Sequence, residues 1–274
     1  MSDIPRTYPQ GVPCWIDTEQ PDPEAAARFY GELFGWEFSN AAPPGAPAYL
    51  IAALDGADAA AIAAGPEPAR WNTYIAVDDA DEAVRQTADA GGSVLAPPAD
   101  AGPAGRTASV ADPQGAEFRL WQAGRRPGAQ AVNWPGAWNF SDIRATDTVA
   151  ARDFYTRLFG WRYLDLGESV ESMIAVPGYG DHLEATADPQ IRERQAGAPE
   201  GFEDVVGAME ATPGGERAHW RVKISVADRA ASMATAQRLG ATVLATDDQV
   251  WALLADIRDP QGAEFTISEF REPA

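Results

Sequence analysis

The chain has 274 residues, 45% hydrophobic, 9% aromatic and 23% charged, which excludes collagen-like and wholly disordered classes and leaves room for two domains at ~150 residues each. A net charge of −20 repels nucleic-acid phosphates and excludes them as partners. No run approaches the ~18 apolar residues of a membrane helix, and the N-terminal residues lack the apolar core of a secretory signal, so a cytoplasmic protein is expected.

In chain order, Cys14 to Thr18 reads as a short strand, and Asp22-Pro23-Glu24 supplies an N-cap, a proline at the first helical position and an early acid. Ala26, Phe29, Tyr30, Leu33 and Phe34 then fall on one helical face, read as core, and Gly35 ends the helix. Strands are expected at Trp36 to Ser39, Ala48 to Leu54 and Ala59 to Ala64. The pattern restarts with strand Thr73 to Val77, helix Ala80 to Ala90, and strands Ser93 to Ala96, Arg106 to Ala111 and Glu117 to Gln122.

The same order then repeats. Phe29-Tyr30-Gly31-Glu32-Leu33-Phe34-Gly35-Trp36 returns 125 residues later as Phe154 to Trp161, and Asp112-Pro113-Gln114-Gly115-Ala116-Glu117-Phe118 returns unchanged 147 residues later as Asp259 to Phe265. The spacing grows by 22, so the second copy carries an insertion, placed at about 179–202, where polar, Gly and Pro residues predict an excursion from the core. Domains are expected at 10–123 and 136–272, joined by a linker at 124–135.

These blocks resemble the vicinal oxygen chelate superfamily of glyoxalases, bleomycin-resistance proteins and extradiol dioxygenases, and the tandem layout resembles actinobacterial two-domain glyoxalase-like proteins. The resemblance implies an α+β fold of four βαβββ modules, paired into two domains with curved, cup-shaped mixed sheets. It also implies metal ligands, usually His or Glu, on cup-facing strands. Those positions fall on Trp15, Asn72 and Arg119 in copy one and on Phe140, Arg221 and Thr266 in copy two, none of which replaces the missing donors. No metal and no cofactor are therefore expected. The single Cys14 excludes a disulfide, a redox pair and a thiolate zinc site, and only two histidines, His182 and His219, are present.

Strand alternation supplies a second, independent reading of the cups. In Arg221 to Val226 the apolar residues Val222, Ile224 and Val226 pack under helices, leaving Arg221 and Lys223, the only lysine, for the hollow. The last strands leave Glu264 and Thr266 in copy two and Glu117, Arg119 and Trp121 in copy one. The first strands offer Trp15 and Asp17, then Phe140, Asp142 and Arg144, while Asn72 and Tyr74 take the open side of theirs. Copy one, with Trp15, Tyr74 and Trp121, suits a flat aromatic molecule with a polar edge. Copy two sums to +1 and suits a small anion.

The function expected is binding of a small polar or aromatic metabolite, by sequestration or by metal-free proton transfer through Asp17 with Glu117 or Asp142 with Glu264. One alternative is a metal-dependent lyase or dioxygenase using Glu210 and His219; another is a non-catalytic interaction module with filled cups. His182 is expected to be a solvated loop residue. Because the two copies supply an internal pseudo-twofold, the protein is expected to be a monomer or a homodimer.

Overall fold

The computed structural model describes residues 5–164 and 172–271. Residues 1–4, and residues 165–171 and 272 of the expected second domain, lie outside this range.

The first copy begins with strand β1 (Pro13–Gln20) and helix α1 (Pro23–Phe34). Three features of the sequence set the helix ends. Asp22 accepts a hydrogen bond from the Ala25 amide, Pro23 fills the first turn, and Gly35 adopts φ 76° and returns its N–H to Gly31 O. Strands β2 (Glu37–Asn40), β3 (Tyr49–Leu54) and β4 (Ala57–Ala64) follow, then β5 (Arg70–Ala76). Helix α2 (Ala80–Asp89) is capped by Asp79, and β6 (Ser93–Asp100), β7 (Gly105–Ala111) and β8 (Glu117–Ala123) complete the copy.

The second copy repeats the order with β9 (Trp138–Ala145), α3 (Thr148–Phe159), β10 (Arg162–Leu164), β11 (Ser172–Ala175), α4 (Tyr179–Thr186), α5 (Ile191–Arg194), β12 (Val205–Ala211), β13 (His219–Ser225), α6 (Arg229–Arg238), β14 (Thr242–Asp248), β15 (Ala252–Arg258) and β16 (Glu264–Phe270). The strands form two eight-stranded mixed sheets, ordered β2-β3-β4-β1-β5-β8-β7-β6 and β10-β11-β12-β9-β13-β16-β15-β14. In each, the parallel pairs are β1 with β4 and β5 with β8, or β9 with β12 and β13 with β16. This is an α+β fold of four βαβββ modules, with sheets that do not close into barrels. Among the described residues, no helix is long and apolar enough to cross a membrane.

The chain divides into two compact units that each draw on both copies. One comprises Met1–Trp15, Thr73–Gly128 and Ser141–Trp220, and the other Ile16–Asn72, Ala129–Phe140 and Arg221–Ala274. The repeated motifs explain the division, because the Phe-Tyr helix of one copy meets the Asp-Pro-Gln-Gly turn of the other. In the second unit the Tyr30 hydroxyl donates to Asp259 Oδ2 at 2.7 Å, Gln20 Nε2 donates to the same oxygen at 2.7 Å, and Trp71 Nε1 donates to Tyr30 Oη. Asp259 Oδ1 holds its own turn by accepting from the amides of Gln261 and Ala263.

Around Tyr30 stand Phe34, Trp36, Trp71 and Phe265, with ring centroids 5.3–6.1 Å away. In the first unit Tyr155 takes the same place, donating to Asp112 Oδ2 at 3.2 Å among Phe159, Trp161, Trp220 and Phe118. Burial and the adjacent carboxylate push both phenols well above their ordinary pKa, which keeps each a neutral donor. Burial also raises the Asp112 carboxyl, against the lowering effect of the amides of Ala116 and Gln114.

Three local expectations need correction. The insertion at about 179–202 is anchored in the core of the first unit, with Tyr179, Leu183 and Ile191 all under 7% exposed. His182 is on helix α4, where its Nε2 lies 3.0 Å from both Oγ1 and O of Thr7. Strand β6 runs on to Asp100 through Pro97 and Pro98. An edge strand tolerates prolines because one row of its amides needs no partner.

Candidate functional site

Strands β5, β8 and β7 of the first unit carry the most distinctive surface. Their registers place Tyr74 beside Arg119, Ser109 opposite Arg119, and Thr107 opposite Trp121, so all five side chains share one face. The intervening residues Ile75, Leu120, Phe118, Ala108 and Val110 are buried on the other face and belong to the core. On the open face Arg119, Trp121, Thr107 and Ser109 are half-buried. The Arg119 guanidinium lies over the Tyr74 ring, 5.5 Å from its centroid, and Trp121 meets Tyr74 edge-on at 6.3 Å.

Trp121 is held rigidly. Its Nε1 donates to Arg126 O at 2.9 Å, and its ring lies against the bare backbone of Gly105. Gly105 has φ 156° and ψ −158°, a region open to glycine alone, and a Cβ there would stand 2.4 Å from Gln122 O and 2.8 Å from Trp121 Cζ2. The other copy supports the pairing: 147 residues on, Gly105 and Trp121 are replaced together by Ala252 and Ser268. Gly105→Ala is expected to cost about 3 kcal/mol and to displace the indole. Urea unfolding followed by tryptophan emission measures both effects, and an unchanged midpoint would contradict the packing described.

The equivalent strands of copy two, in the second unit, are occupied by ion pairs instead. Arg221, 7% exposed, reaches Asp256 Oδ1 at 3.3 Å and Glu264 Oε2 at 3.2 Å. Arg258 takes Glu264 Oε1 at 2.8 Å, and Thr266 donates to Asp256 Oδ1. Lys223, also buried, lies opposite Thr266 on this face. Sequence reasoning misses Asp256, although its alternation with the buried Ala255 and Ile257 on β15 carries the signal.

The remaining residues of the expected cups occupy two further groups. Asp17, 1% exposed, accepts from Asn72 Nδ2 at 2.8 Å and from the Tyr49 hydroxyl at 3.2 Å. Asp142 is wholly buried and accepts from the Ala208 amide at 3.0 Å, while Arg144 pairs with Glu210 across β9 and β12. Trp15 is buried on β1, Phe140 is half-buried on β9, and Glu117 is exposed at the start of β8.

A divalent metal does not fit this donor set. The positions that the resemblance assigns to ligands hold indole, amide, guanidinium, phenyl and hydroxyl groups, and the Arg221 guanidinium there is engaged with two carboxylates. The Glu210 carboxylate is taken by Arg144, and His219 Nδ1 lies 2.9 Å from Arg217 O. Among the described residues, no three His, Cys, Asp or Glu side chains gather to hold a metal ion.

The glyoxalase-like domain profile matches the chain twice, at residues 15–121 and 140–268. A Mycobacterium tuberculosis (strain CDC 1551 / Oshkosh) protein provisionally named glyoxylase CFP32 is 35% identical over 95% of both chains. Anthracycline biosynthesis protein DnrV of Streptomyces peucetius is 33% identical over 97% of this chain and 95% of its own. Among solved structures, the Mn(II)-bound glyoxalase from Novosphingobium aromaticivorans aligns with TM-score 0.60 at 14% identity, covering 96% of this chain and 84% of that one. The 2,3-dioxygenase LapB from Pseudomonas sp. KL28 aligns with TM-score 0.60 at 11% identity over 97% of each. These two likenesses speak to fold alone. Two profile matches, full-length relatives at a third identity and the paired eight-stranded sheets together make this chain a tandem member of the glyoxalase-like family, within the vicinal oxygen chelate superfamily.

Proposed function

We propose that the protein binds a flat aromatic metabolite against the β5–β8–β7 face, without a metal, and sequesters it. The observation that carries this reading is the half-buried Trp121, its indole pinned to Arg126 O, with the half-buried Arg119 lying over the buried ring of Tyr74 beside it. The relative named for anthracycline biosynthesis supports it, since anthracyclines are flat fused-ring compounds. Sequestration is favoured over proton transfer because each pair considered for a shuttle has one member with both oxygens engaged. Both oxygens of Asp17 accept hydrogen bonds, and both of Glu264 face arginines. The face in copy two, cross-linked by its own charges, is read as filled.

Anthraquinone-2-sulfonate is a soluble probe of this reading. Titration monitored by tryptophan quenching is expected to give a dissociation constant on the order of 10 µM, weakened at least about tenfold in Trp121→Ala. Wild-type protein that ignores the probe to millimolar concentration, or a Trp121→Ala variant that binds as well, would remove the proposal.

A further inference from the structure

The face that carries Trp121 does not end at β7. Ala99 of β6 lies opposite Thr107, which lies opposite Trp121, and Ala96 lies opposite Ser109, which lies opposite Arg119. Residues paired across neighbouring strands project to one side of a sheet, so two rows cross the strands from β8 to the sheet edge. The register shift between Ala96 and Ala99 returns both to this side. Along β6, Val94-Leu95-Ala96-Pro97-Pro98-Ala99 forms an unbroken nonpolar run at the surface, with Val94 42% and Leu95 50% exposed and only Pro98 half-buried.

Edge strands are blunted either with charge, which keeps the edge wet, or with proline, which stops backbone pairing but leaves side chains bare. Copy two uses charge. Its edge strand reads Val243-Leu244-Ala245-Thr246-Asp247-Asp248, and Asp247 stands opposite Leu254 as Ala99 stands opposite Thr107. Copy one uses proline: Pro97 and Pro98 lack the amide protons that an added strand would need. The apolar edge thus accompanies the tryptophan, and the acidic edge accompanies the ion pairs.

Resting on the aromatic-face reading above, we infer that the ligand has at least three fused rings and lies across the strands, along the row of Trp121, Thr107 and Ala99, with its far ring on Ala99. Two strand spacings separate Trp121 from Ala99 by about 10 Å, a length that three fused rings cover and two do not. A ligand lying along β8 instead, from Trp121 towards Arg119, would not reach β6.

Naphthalene-2-sulfonate and anthracene-2-sulfonate carry the same charge and differ by one fused ring. In titrations followed by tryptophan quenching, wild-type protein is expected to prefer the three-ring probe by about tenfold. Ala99 is exposed on an edge strand, so Ala99→Asn leaves the fold alone while placing an amide under the third ring. It is expected to weaken anthracene-2-sulfonate about tenfold and to leave naphthalene-2-sulfonate within about twofold. No preference in wild-type protein, unchanged binding of anthracene-2-sulfonate by Ala99→Asn, or an equal fall for both probes overturns the cross-strand placement and leaves the aromatic wall standing. Failure of both probes to bind wild-type protein overturns the wall itself, and this inference with it.

Discussion

Asp259→Ala is expected to lower the free energy of unfolding by about 4 kcal/mol, roughly twice the loss in Asp112→Ala. Four donors converge on the Asp259 carboxylate: the Tyr30 hydroxyl, Gln20 Nε2 and the amides of Gln261 and Ala263. Tyr30 and Gln20 are fully buried, so water cannot replace the lost acceptor, and each stranded donor costs about 1–3 kcal/mol. Asp112 serves the same turn in its own copy, but its only side-chain donor among those described is Tyr155, at a longer 3.2 Å. Urea unfolding followed by circular dichroism gives both values by linear extrapolation. Equal losses, or a loss below about 1 kcal/mol for Asp259→Ala, would show that the two hubs do not carry the load assigned to them.

The second large effect concerns the charged face of copy two. Arg221→Met is expected to cost about 3 kcal/mol, because it takes the guanidinium from the half-buried Asp256 and removes one of the two arginines facing Glu264. The loss is not that of a surface ion pair, which is worth at most about 1 kcal/mol, since the Arg221 side chain is only 9% exposed. Adding Asp256→Leu to Arg221→Met is expected to restore about 1–2 kcal/mol by removing one stranded carboxylate. Additive losses in this double-mutant cycle would refute the pairing as a source of stability.

Helix ends were legible because their chemistry is local: Asp22, Pro23 and Gly35 announce α1 within fourteen residues of sequence. The polar facing of Arg221, Lys223, Arg119 and Trp121 was legible from the period of two. What stayed hidden depended on distant partners. The Asp-Pro-Gln-Gly block marks the repeat in the sequence, yet its aspartates bond tyrosines 43 and 229 residues away, and no local pattern records that. The insertion looked solvated because Tyr179, Leu183 and Ile191 are sparse among polar neighbours, while their burial comes from the unit they dock on.

The crossed bonding of the repeated motifs has an evolutionary reading. Since Tyr30 is completed by Asp259 and Asp112 by Tyr155, selection cannot judge either half of the gene by itself. A change in one tyrosine is felt at an aspartate encoded in the opposite half, so the hubs are bound to drift in concert. The wall around Trp121 has no such obligation to its counterpart, so one surface can change while the other stays sealed with charge.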